Sequence, residues 1–154
     1  MNAPTFDDLR LPCCNGECIR LNLLQEYIEA GEDVNYVDTR AESSRLVGNW
    51  TLLHYAASVG DIRSIHILCD CGANVNARSS VGWTPLHHAL DSDFTAATIN
   101  NRMPRAFPTA EPLLQHGADD TLQDEHGRTP IDLLDGLEEL LEIYQELKRS
   151  INLK

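Results

Sequence analysis

The chain has 154 residues, 42% of them hydrophobic and 6% aromatic, and carries 12 Lys and Arg against 24 Asp and Glu, a net charge of −12. That length suits one ordinary domain with a core of its own. So acidic a surface repels phosphate backbones and anionic lipid faces, and no apolar run approaches the ~20 residues of a membrane span, so neither nucleic acid nor a membrane is an expected partner. The opening MNAPTFDDLR lacks the apolar stretch of a secretory signal, and five cysteines, an odd number, suit reduced thiols; a cytoplasmic location is expected. Without a secretory route the sequon Asn49-Trp50-Thr51 carries no weight.

In chain order, the sequence repeats itself. Cys13, Cys14 and Cys18 precede the apolar run Leu23-Leu24…Tyr27-Ile28, which stops at Gly31 within AGEDVN (30–35). The polar stretch TRAESSRLVG (39–48) leads to TLLHYAA (51–57). Ile62, Ile65, Leu68 and Cys69 make a second helical stripe, stopping at Gly72 in CGANVN (71–76). TPLHHAL (84–90) follows, then DSDFTAATINNRMPRAFPTA (91–110). Leu113-Leu114 ends at Gly117 in HGADDT (116–121), before TPIDLL (129–134). Last, Leu137, Leu140, Leu141, Tyr144, Leu147 and Ile151 form a stripe at helical spacing, with Glu138, Glu139, Glu142, Glu146 and Arg149 elsewhere on the same helix. The three glycines stand where a left-handed C-cap is wanted. Thr51, Thr84 and Thr129 stand where a hydroxyl caps a helix start, with Pro85 and Pro130 at the first helical position.

Thr51 to Thr84 is 33 residues; Thr84 to Thr129 is 45, or 33 plus 12; Gly31 to Gly72 is 41, or 33 plus 8. A period of 33 with two insertions accounts for every spacing. On these blocks and turns the chain resembles the ankyrin-repeat family over about residues 17–135. The resemblance implies an all-α solenoid of about four helix-turn-helix repeats with short hairpin-like turns and terminal capping repeats. The expected layout is a degenerate first repeat at about 3–38, with Thr5-Phe6-Asp7-Asp8-Leu9 as its first helix, and a loop insertion at about 39–48. Repeat 51–83 follows, then repeat 84–128 with an insertion within 91–110, then a capping repeat at 129–154. The polar face of that cap argues against open-ended stacking, so a monomer is expected.

No phosphate loop, nucleophile elbow, zinc-protease helix or dinucleotide fingerprint is present, so no catalytic residue, cofactor or metal is assigned. His54 and His87 are the histidines of the TxLH blocks, which the resemblance implies bond to neighbouring turn backbone. His88 points to another side of its helix. Cys13, Cys14 and Cys18 lack a nearby fourth zinc ligand and read as plain thiols, with metal the lesser alternative. Cys69 reads as a small hydrophobe and Cys71 as helix-end packing, ahead of a redox pair. Asn76 resembles the position that an asparaginyl hydroxylase modifies in some family members, but a turn-forming asparagine is the preferred reading.

Family members generally bind proteins through turn tips and the exposed side of the first helices. The implied protein-binding set is Trp50, Trp83 and Arg128 before each block, Tyr55 and His88 on the helices, turn residues Ser80, Val81, Glu125 and His126, helix-end residues Ser58 and Asp91, and Arg40 and Arg45 of the first insertion. Tryptophan and arginine concentrate binding energy at interfaces, so exposure to a partner is preferred over a stack that stiffens the scaffold. Ten acids between Asp119 and Glu146, against the single base Arg128, favour a basic partner. The expected function is a non-catalytic protein–protein interaction module that binds and inhibits a basic protein, a cognate toxin or an enzyme, in the manner of an immunity protein. The alternative is an adaptor or scaffold holding a peptide or partner domain, with a thiol- or metal-dependent sensor as the lesser one.

Overall fold

A computed structural model describes residues 4–9, 20–38, 48–99 and 106–152; Cys13, Cys14, Cys18, Arg40 and Arg45 lie outside them. The helices are α1 (Phe6–Leu9), α2 (Leu21–Glu29), α3 (Leu52–Val59), α4 (Ile62–Asp70), α5 (Pro85–Ile99), α6 (Ala110–Gln115), a 3₁₀ helix (Pro130–Leu134) and α7 (Glu138–Asn152). Among the described residues there is no strand, only an antiparallel bridge between Asp38 and Trp50. The architecture is the all-α repeat solenoid that the 33-residue period implies. No described helix is long and apolar enough to cross a membrane.

Two layers carry the fold. In one, α3 packs on α5 and α5 on the 3₁₀ helix; in the other, α4 packs on α6 and α6 on α7, with α3–α4 and α5–α6 joining the layers. Each helix hides its apolar stripe only against its neighbours. Leu52, Leu53, Ala56, Ile65, Leu68, Leu86, Ala89, Leu90, Leu113, Leu134, Leu140 and Tyr144 thus form one continuous buried core. On α7 only Leu140 and Tyr144 are buried, while Glu138, Glu139, Glu142 and Glu146 face solvent, as a terminal element requires.

The turns stack by backbone bonds that recur with the repeat. Ser79 N donates to Trp83 O (2.9 Å) and Asp124 N to Arg128 O (2.8 Å), closing each hairpin. Ser80 N donates to Gly48 O (2.8 Å) and Glu125 N to Val81 O (3.0 Å), tying each hairpin to the next. A Cβ at Gly48 would lie 2.6 Å from Ser80 Oγ, so this approach needs glycine. The residue that follows must be left-handed: Asn49 (φ 59°) stands where the later turns have Gly82 (φ 79°) and Gly127 (φ 77°). Asparagine tolerates that region, so Asn49 fills there the role that glycine fills in the later turns. Farther along, Asn35 accepts from Asn74 N and Asn76 accepts from Asp119 N, the same side-chain bridge one repeat apart.

Two elements differ from expectation. The second insertion does not leave α5 at Leu90; the helix runs on to Ile99, 15 residues in all. The last TPIDLL block winds as a 3₁₀ helix, with Thr129 N donating to Asp132 Oδ2 (2.6 Å) where the other blocks use a histidine.

Candidate protein-binding surface and its aromatic row

The residues before each block and those facing them make one aromatic row. Trp50 packs edge-on to Tyr55 (ring centroids 4.9 Å) and to His88 (4.5 Å), and His88 packs against Trp83 (4.9 Å). Each tryptophan also stacks on the histidine of its own block, Trp50 on His54 and Trp83 on His87. The row continues through Phe6, 6.0 Å from Tyr55, to Tyr36, 5.0 Å from Phe6.

This packing corrects the expected exposure. Trp50, Tyr55 and His88 are only 8%, 7% and 8% exposed, and Trp83 is half-buried. The cause is the next repeat: His88 wedges between the tryptophans and shields Trp50 from solvent. The row is internal, closer to the stacking alternative than to a partner-facing patch. Ser80, Asp91, Glu125, His126 and Arg128 are exposed, and Ser58 and Val81 are half-buried. Leaving aside Arg40 and Arg45, the accessible members therefore lie at the turn tips and helix ends.

The histidines hold the row in neutral form. Thr51 N donates to His54 Nδ1 (3.1 Å), so the proton sits on Nε2, which donates to Trp83 O (3.2 Å) in the next turn. His87 repeats the pattern between Thr84 N (3.1 Å) and Arg128 O (3.2 Å). These are the turn-backbone bonds that the resemblance implies. Burial, only partly opposed by the bonds to turn carbonyls, pushes His54 down to about 4. Burial, aided by neighbouring His54 and His87, takes His88 to about 3, and burial also lowers His87.

The second tryptophan has an acceptor and the first does not. Trp83 Nε1 donates to Asp124 Oδ2 (3.2 Å), whereas Trp50 Nε1 and His88 Nε2 are buried with no hydrogen-bond partner among the described residues. The reason lies in the repeat. Trp83 to Asp124 is 41 residues and Trp50 to Ser79 is 29, the same step once the 12-residue insertion is removed, so Ser79 occupies the position that Asp124 fills one repeat later. Ser79 Oγ accepts from Trp83 N, as Asp124 Oδ1 accepts from Arg128 N.

Asp124 is the hub of the last turn. Burial opposes its charge, but bonds from the Arg128 backbone and guanidinium, His126 N and Trp83 Nε1 prevail and hold its carboxyl far below the ordinary range. Asp120 is likewise buried, accepting from Tyr144 OH (3.0 Å) and Lys148 Nζ (2.6 Å). Two of the ten acids between Asp119 and Glu146 are thus buried, and Arg128 and Lys148 are already engaged with them. Cys69 is buried and its thiol is raised to about 11, first by burial and then by Asp70. Cys71 is exposed at the end of α4 rather than packed there. Sequence reasoning missed Tyr36 and Val37, 47% and 38% exposed at the first turn. The available signal was two adjacent apolar residues in a turn, outside any helical stripe.

A family model described as ankyrin repeats in three copies matches residues 13–124. The chain belongs to the ankyrin-repeat family. Among similar proteins, an ankyrin repeat protein of Rickettsia bellii is 38% identical over 92 residues, covering 57% of this chain and 34% of that protein. Human protein phosphatase 1 regulatory subunit 27 is 30% identical over 94 residues, 60% of this chain and 53% of that one. A probable 26S proteasome regulatory subunit of Saccharomyces cerevisiae is 54% identical over 39 residues, 25% of this chain and 17% of that one. The chain thus spans about half or less of the length of these relatives. Ankyrin repeats are protein–protein interaction modules, and the family is generally non-catalytic.

Proposed function

We propose that this ankyrin module binds a basic protein partner and inhibits it by covering its surface. The observation that supports this reading is the exposed negative charge of the C-terminal third. Asp119, Glu125, Asp132, Asp135, Glu138, Glu139, Glu142 and Glu146 are all exposed, while Arg128 and Lys148 are held by Asp124 and Asp120, and among the described bases of this third only Arg149 is left to oppose them. Such a field speeds encounter with a cationic surface and disfavours acidic ones. The exposed turn residues Ser80, Glu125, His126 and Arg128 supply the contact face; Arg40 and Arg45 of the first insertion, outside the described residues, are further candidates. Being named as regulatory subunits, two of the relatives are in keeping with a module that acts on another protein's activity.

The test is affinity capture on the immobilised chain at low and high salt, followed by assay of the captured protein's activity with and without the chain. A basic protein released by salt and inhibited stoichiometrically is the expected result. Capture of an acidic or salt-insensitive partner, or of one whose activity is untouched, would overturn the inhibitory reading.

A further inference from the structure

The far end of the aromatic row opens to solvent in a way the rest does not. Thr5, Phe6, Asp7, Tyr27, Glu32 and Tyr36 line a cleft of about 420 Å³ between α1 and the first turn. Tyr27 is buried, held by its hydroxyl on Asp33 O (3.0 Å), and Phe6 is buried between Tyr36 and Tyr55. Tyr36, tilted 50° to Phe6, is the accessible aromatic wall. Carboxylates stand at the rim, and the charges of Glu32 and Asp33 reach Tyr27, adding to the burial that raises its hydroxyl pKa.

Aromatic faces carry negative potential and attract a cation most strongly where water is partly excluded; arginine adds planar stacking and a fork for carboxylates. A cleft with aromatic walls and an acidic rim therefore selects a cationic side chain over an apolar or anionic one. We infer that it receives an arginine or lysine side chain of the basic partner, as a specific anchor beside the diffuse acidic field. The inference deepens the proposed function and rests on it for the source of the side chain; the site itself is testable alone.

The experiment is an NMR titration of the full chain with N-acetylarginine amide and with its uncharged isostere N-acetylcitrulline amide. Arginine should give saturable shifts centred on Phe6, Tyr27, Glu32 and Tyr36, and citrulline much weaker ones. Tyr36→Ala and Glu32→Gln, both at exposed positions, should each weaken arginine binding by about 3- to 30-fold, the span of cation–π strengths in water and in drier sites. Equal binding of citrulline, shifts confined to α7, or no effect of either variant would overturn the site. A partner captured equally by wild type and Tyr36→Ala would overturn the anchor while leaving the basic-partner reading standing. Arginine binding here, with only acidic proteins captured, would do the reverse.

Discussion

At the scale of single residues, a one-residue difference between two turns decides the fate of an indole N–H. Trp83 has Asp124 to bond; Trp50 has Ser79, and its N–H is buried without an acceptor among the described residues. Ser79→Asp is therefore expected to become coupled to Trp50. A double-mutant cycle with Trp50→Phe should give a favourable coupling of about 1 kcal/mol at neutral pH, the net worth of an ordinary hydrogen bond; zero coupling would refute the equivalence of the two turns. His88 carries a second consequence. Its folded pKa of about 3 lies below the ~6.5 of an unfolded imidazole, so the unfolded chain binds the extra proton, and this contribution to stability is lost as pH falls through that window. Because His88 Nε2 has no partner among the described residues, His88→Leu should be within about 1 kcal/mol of wild type at pH 7. At pH 5 it should be more stable by about 2 kcal/mol, read from denaturant midpoints. A pH-independent difference would contradict the neutral, buried imidazole.

At the scale of elements, the second insertion is part of the scaffold. Asp93 lies within the extended α5, buried, and accepts from Thr109 N (3.1 Å) and Ala110 N (3.2 Å) at the start of α6. It thus caps one helix from another across the inserted segment. Burial pushes its carboxyl up to about 6, against the pull of the Thr109 and Ala110 bonds. Phe107, just before α6, packs edge-on to Tyr144 of α7 at 5.8 Å. Asp93→Ala should cost about 2 kcal/mol, the loss of a buried acceptor serving two donors, and Asp93→Asn less; unchanged unfolding midpoints would mean that the insertion is passive. The helices on either side were legible in the sequence because threonine, proline and glycine punctuate them and apolar stripes run between. The extension of α5 was not, since from Asp91 to Ile99 the apolar signal is thin, and the stretch is held by Phe94 against the core together with Asp93. The burial of Trp50 was equally hidden. It depends on His88, 38 residues away, and nothing in the local sequence distinguishes a tryptophan covered by the next repeat from one facing a partner.

At the scale of the whole molecule, the aromatic row and the histidine bonds knit successive repeats from within, and the proposed function places the contacts with a partner at the turn tips, the acidic C-terminal third and the N-terminal cleft. The period of the sequence made the fold readable; the exposed charge was readable only in sum, because Asp120 and Asp124 turn inward while their neighbours do not. Binding should follow that division. Removing surface charge should weaken the complex and steepen no other property, whereas replacing a tryptophan should act through stability.

The most direct measurement is the low-salt dissociation constant of the captured partner for wild type, for Glu138→Gln/Glu139→Gln/Glu142→Gln/Glu146→Gln, and for Trp50→Phe. The expected result is at least about tenfold weakening by the fourfold Glu→Gln variant, roughly 1.4 kcal/mol, with Trp50→Phe binding like wild type wherever it is folded. The opposite pattern, with full affinity after charge removal and loss of binding by a folded Trp50→Phe, would contradict an internal aromatic row and an acidic binding surface.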